Sequence, residues 1–147
     1  MDASLLIGAA ATVAVGGILP WINTEVVVAG AALLTPQSGL PVLVLVCAAA
    51  QMSAKAVLYG VIRWVPERMP ARARRLTSRI EAYRKRRGLL VLAVFSGSAV
   101  ALPPFYLVTL ACGMLRVPFA LFAIAGLGGT ILRYGALAWL AVAVAAG

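Results

Sequence analysis

The stretch from Pro66 to Gly88, PERMPARARRLTSRIEAYRKRRG, decides the fold, because it is the one sizeable polar segment of a 147-residue chain. Nine of the thirteen Lys and Arg residues fall in it, in the runs Arg72 to Arg75 and Arg84 to Arg87 among others. The sequence on either side is apolar enough that water is an implausible solvent for it. With 63% hydrophobic and 12% charged residues, and a mean hydropathy of +1.02, the chain has more apolar surface than a soluble core of this length can hide. The net charge of +9 would point to nucleic acid on a folded soluble surface. Here the charges are concentrated beside apolar segments, so positive-inside placement explains them and no nucleic-acid partner is expected. Each basic residue near the surface gains roughly 1 kcal/mol from anionic head groups. Residues 66–88 are therefore expected in the cytoplasm. Leu76, Ile80 and Tyr83 would share one side of a helix, with Arg72, Arg75, Arg79 and Arg86 around the rest, which suits an interfacial helix or a plain topology signal.

Outward from this connector, the N-terminal side reads as a broken helix followed by a spanning one. Ala3 to Leu19 is apolar with Gly8, Thr12 and Gly16 at four-residue spacing, a face suited to close helix packing. It lacks the basic n-region of a signal peptide and carries Asp2 instead, so it is expected to stay on the protein. Pro20 interrupts it, Trp21 to Glu25 is polar, and a second helix reaches only to about Leu34. That helix covers roughly 15 Å of a ~30 Å hydrocarbon core. A re-entrant hairpin is the expected arrangement; a topology in which residues 3–19 span fully is the alternative. After the loop Thr35 to Pro41, Val42 to Trp64 is long enough to cross, and it carries Gln51, Lys55, Tyr59 and Arg63 at successive i, i+4 positions. Arg63 can snorkel and Tyr59 can be ordinary packing with a bonded hydroxyl. Lys55 costs at least ~2.5 kcal/mol at bilayer depth, so it should face a partner or a cavity.

The C-terminal side follows the same plan. Leu89 to Leu102 is a half-span, Pro103 and Pro104 break it, Phe105 to Leu115 is short, and Phe119 to Val144 spans, with Thr130 and Arg133 inside it and Gly126, Gly128 and Gly129 beside them. Gly30 and Gly113 each lie ten residues after Pro20 and Pro103; Tyr59-Gly60-x-x-x-Trp64 matches Tyr134-Gly135-x-x-x-Trp139; Pro41 and Pro118 open the long helices. Three matches in one order argue for an internal repeat, and a cytoplasmic connector makes it inverted. The expected fold is an all-α polytopic membrane protein, a single membrane domain over 1–147. Repeat 1 is 1–65, the connector 66–88 and repeat 2 89–147, each repeat a re-entrant helical hairpin plus a transmembrane helix.

These residues resemble the DedA superfamily, also called the VTT or SNARE-associated domain. The likeness lies in Pro20-x-x-x-x-Glu25 before a small-residue helix, the Lys55 to Tyr59 helix, and Phe95 through Pro103 and Pro104 to Gly113, Met114 and Phe119. It covers most of the chain. It implies two re-entrant hairpins in an inverted repeat and a role in moving phospholipids or polyprenyl-phosphate carriers between leaflets, in a cell membrane such as the bacterial inner membrane. It implies further that Glu25 is the acidic residue of the first hairpin and that Pro103 and Pro104 are the break of the second. The chain departs from the family where Lys55 stands in place of an acidic residue common in members, and where Phe95 to Ser98 lacks an Arg.

The chemistry can be weighed without the family. Glu25, Lys55 and Arg133 form a net positive set that an anionic, phosphate-bearing head group would balance, and Arg133 can grip a phosphate through two parallel hydrogen bonds. Substrate or ion contacts are expected from Glu25, Gln51, Lys55, Tyr59, Thr130 and Arg133, with Pro20, Pro103 and Pro104 as hairpin breaks. Glu25 can carry a proton during transport. The plainer reading is that Glu25 pairs with Lys55 or Arg133 as a structural bridge. An enzyme is not expected: there is no His, and the four carboxylates Asp2, Glu25, Glu67 and Glu81 are too scattered for an acid-base pair or a magnesium site. Cys47 and Cys112 sit in apolar segments and make no metal site, and no cofactor is implied. The function expected is translocation of a phospholipid or polyprenyl-phosphate lipid, flippase- or scramblase-like, by a monomer or homodimer. A small ion channel, holin-like pore or structural membrane protein is the alternative.

Overall fold

The computed structural model describes residues 2–64, 87–102 and 104–147. Among them are six α-helices and no strand: α1 Ala3–Ile18, α2 Thr24–Leu33, α3 Leu40–Trp64, α4 Arg87–Ala99, α5 Phe105–Met114 and α6 Phe119–Ala146, with a 3-10 turn at Gln37–Gly39 ahead of α3. The expected connector lies outside the described residues apart from Arg87 and Gly88, which begin α4, and Pro103 also lies outside them.

Local chemistry explains most helix ends. Asp2 caps α1: its carboxylate accepts from the Ser4 hydroxyl at 2.8 Å and the Ser4 amide at 3.0 Å. The same two bonds, hydroxyl first, hold the Asp2 carboxyl below the usual carboxylate range. Leu19 is extended and Pro20 offers no N–H, so the helix stops. Asn23 then opens α2, accepting from the amides of Glu25 at 3.1 Å and Val26 at 3.3 Å, and Glu25 occupies the first turn where the helix dipole favours an anion. Asn23→Ala should therefore lower stability by about 1 kcal/mol. A reduced unfolding midpoint in detergent, restored largely by Asn23→Ser, is the check. In the second half, Ala101 after α4 and Arg116 after α5 take the left-handed conformation, with φ of 60° and 51°.

The helices come as short, short, long, twice over: 16, 10 and 25 residues, then 13, 10 and 28. α1 packs on α2, and α4 on α5. Two helices are long and apolar enough to cross a membrane, Gln37–Trp64 counted with its leading turn and Phe119–Ala146.

Two compact units form, Met1–Ala54 with Thr130–Gly147, and Lys55–Gly129, so the division falls inside α3 and α6. Close backbone approach sets each of them. In the first unit a Cβ on Gly17 would lie 2.7 Å from the Cβ of Ala54, and one on Gly16 would strike Thr24 Cγ2. In the second, a Cβ on Gly113 would lie 3.0 Å from the Tyr59 carbonyl oxygen. Phe122 stacks there between Tyr59 and Phe105, with ring centroids 5.1 and 6.0 Å away. Polar side chains are found inside: Thr24, Gln51, Lys55, Ser98, Thr109 and Thr130 are buried, whereas Trp21, Trp64, Ile124, Trp139 and Val144 are exposed.

Candidate functional site

In the first unit, α2, α3 and α6 bring three of the six sequence candidates, Glu25, Gln51 and Arg133, into one polar cluster. The N-cap at Asn23 fixes where α2 begins, and so puts Thr24 and Glu25 side by side in its first turn. Arg133 on α6 forms an ion pair with Glu25, through Nη2 and Oε1, with side-chain exposures of 15% and 39%. The next residue, Tyr134, is fully buried and donates its hydroxyl proton to Oε1 of Gln51 on α3. Thr24 lies near the same hydroxyl, and its methyl group occupies the space that a Cβ on Gly16 would need. Thr130 is buried about one turn earlier on α6. The cluster is thus charge-balanced: Arg133 has its carboxylate, and the neutral groups are hydrogen-bonded to one another, as buried polar groups must be.

Lys55 and Tyr59 belong to the second unit. The Tyr59 hydroxyl donates to the Val117 carbonyl and accepts from Arg63 Nη1 at 2.6 Å. Lys55 is 4% exposed, with Nζ 5.0 Å from the Tyr106 ring centroid and 5.7 Å from that of Phe105. Among the described residues no carboxylate pairs with it and no acceptor takes a hydrogen bond from it. A cation over an aromatic face gains ~0.5–2 kcal/mol, whereas an ammonium within a membrane helix costs at least ~2.5 kcal/mol. The rings alone do not balance the charge.

Pro20 lies between α1 and α2, and Pro104 between α4 and α5. Thr24 and Tyr134 are members of the cluster that were not among the sequence candidates. The repeat of Tyr59-Gly60 at Tyr134-Gly135 could have flagged the tyrosine, since both are buried with bonded hydroxyls. Tyr134→Phe would strip Gln51 of its partner. A loss of about 1–3 kcal/mol is expected, and Gln51→Leu in the same chain should recover part of it, because replacing both partners removes the unsatisfied group. Chemical denaturation of the two variants in detergent measures this.

The chain matches no family model, no curated protein and no solved structure.

Proposed function

We propose that the protein is a multi-pass membrane protein, in the bacterial inner membrane, that moves an anionic phosphate-bearing lipid between leaflets. The two short-short-long halves are inverted repeats about a cytoplasmic connector, the arrangement of the DedA superfamily that the sequence resembles. The observation that carries this reading is the Glu25–Arg133 pair beside Tyr134 and Gln51, part-buried in a helical protein that exposes many large apolar side chains. Intramembrane charges are costly, and their default explanation is a pathway or a site.

The pair offers a simple exchange. A lipid phosphate takes the guanidinium, which presents two parallel N–H donors to it, and the released Glu25 carboxylate takes a proton to stay neutral away from water. Reversal on the other leaflet frees the lipid. The test is leaflet exchange of an anionic phospholipid in proteoliposomes. The native chain should accelerate it, and Arg133→Ala and Glu25→Gln should each reduce it tenfold or more while remaining folded. Retention of exchange by both variants would mean that the pair is a structural bridge. Ion leakage without lipid movement would favour a small channel. Cross-linking in native membranes reports the homodimer that a chain with so few helices would use to shield its polar groups.

A further inference from the structure

We infer that the N-terminus of α5, together with Lys55, is a second phosphate-binding site, one that takes the phosphate group of a lipid head group or of free phosphate. This deepens the function proposed above and rests on it only for the membrane setting. Two independent observations meet here.

The first is that α5 starts uncapped. Its N-cap is Pro104, which has no acceptor side chain, and no side-chain hydrogen bond caps the helix. The amides of the first turn point out of the helix with the positive end of its dipole, an arrangement that holds phosphate oxygens. The contrast with α2 is direct. There Asn23 accepts from two first-turn amides and Glu25 supplies a carboxylate, so the position is already filled from within the chain. At α5 the residues following the cap are Phe105 and Tyr106, which carry no charge.

The second observation is Lys55. Its ammonium lies over the rings of these same two residues, at 5.7 and 5.0 Å. The residue is 96% buried, from a relative exposure of 4%, and has no carboxylate or hydrogen-bond acceptor among the described residues. An ammonium and a row of backbone amides both favour an oxyanion, and phosphate offers several oxygens so that each can be met at once. The cation in the first unit is already matched by Glu25; Lys55, buried among the described residues, has no such match.

Titration of the full chain in uncharged detergent decides the matter, using dihexanoyl phosphatidic acid, inorganic phosphate and dihexanoyl phosphatidylcholine as probes and phosphorus NMR as the readout. Saturable binding of phosphatidic acid is expected, weakened at least tenfold by Lys55→Met and kept within threefold by Lys55→Arg. Pro104→Asp, which supplies both a cap and a negative charge, should weaken binding tenfold or more while holding or raising the unfolding midpoint, a combination that misfolding cannot produce. Competition by inorganic phosphate at similar concentration assigns the site to free phosphate, and its failure to compete assigns it to a lipid head group. No saturable binding of either phosphate probe, or binding unaltered by Lys55→Met and Pro104→Asp, overturns the inference. Lys55-dependent binding without leaflet exchange would sink the translocation reading and leave this site standing; exchange with Lys55-independent binding would do the reverse.

Discussion

Glu25→Gln is expected to destabilise the protein more than any other single change at the polar cluster. The substitution removes the only carboxylate facing Arg133 among the described residues, and the guanidinium left behind is 15% exposed. Arginine does not shed its proton, so it cannot escape the cost by becoming neutral. An unpaired Arg within a membrane helix costs ~2.5–3.5 kcal/mol on insertion scales. The loss should reach the lower part of that range, because the pair is not sealed. Arg133→Met is the opposite deletion, and it should cost less, since the orphaned Glu25 can take up a proton and lose its charge. The double variant Glu25→Leu with Arg133→Met should be more stable than Glu25→Gln alone, as breaking one partner of a buried pair is worse than replacing both. Thermal unfolding of the three variants in one detergent gives the ranking. Equal midpoints for Glu25→Gln and native protein would show that the pair carries no weight.

Gly129→Ala should disrupt the second unit, while Gly128→Ala, one residue earlier, should be accepted. A Cβ at Gly129 would strike the Ser98 hydroxyl oxygen and lie 2.7 Å from the Phe95 carbonyl oxygen and 3.1 Å from the Ala99 nitrogen. The hydroxyl could swing aside, but the two backbone atoms belong to α4 and can move only with that helix. Ser98 is itself fully buried and bonded to the Phe95 carbonyl at 2.9 Å, so a shift there also breaks a hydrogen bond. Overpacking of this kind costs about 1–3 kcal/mol, and contact with backbone puts Gly129→Ala at the upper end. At Gly128 the nearest atom to an added Cβ is Phe95 Cε2, at 3.9 Å. That is ordinary contact, and loss of a mid-helix glycine gains about 0.5 kcal/mol. Comparing the expression and unfolding midpoints of the two variants tests the packing of α4 against α6 with the chemistry of the substitution held constant.

Much of the helix layout was legible because it follows from local chemistry. Pro20 and Pro104 end or precede helices for want of an N–H, and the readings Ala3 to Leu19 and Val42 to Trp64 correspond to Ala3–Ile18 and Leu40–Trp64. Of the i, i+4 stripe, Gln51, Lys55 and Tyr59 are buried and Arg63 is exposed. Partnership was another matter. Glu25 had two cations to choose between, and nothing in the spacing selects Arg133 over Lys55; only the fold does. Spacing was equally silent on the surroundings of Gly30 and Gly113. They stand at matching distances from Pro20 and Pro103, yet a side chain at Gly30 would meet open space and one at Gly113 the Tyr59 backbone. The division into compact units inside α3 and α6 was likewise invisible, because periodicity continues smoothly through both helices.

That division bears on the order in which the protein can be completed. Lys55–Gly129 is a continuous run of chain, so all of the second unit has been synthesised before Thr130 is added. The first unit begins earlier and finishes later, since it needs Thr130–Gly147 as well as residues from the other end of the sequence. Until then Glu25 and Gln51 wait without Arg133 and Tyr134. The half-made protein therefore holds an acidic group and an amide without their partners through most of its synthesis, and a quality-control protease has that interval in which to recognise a chain that stalls.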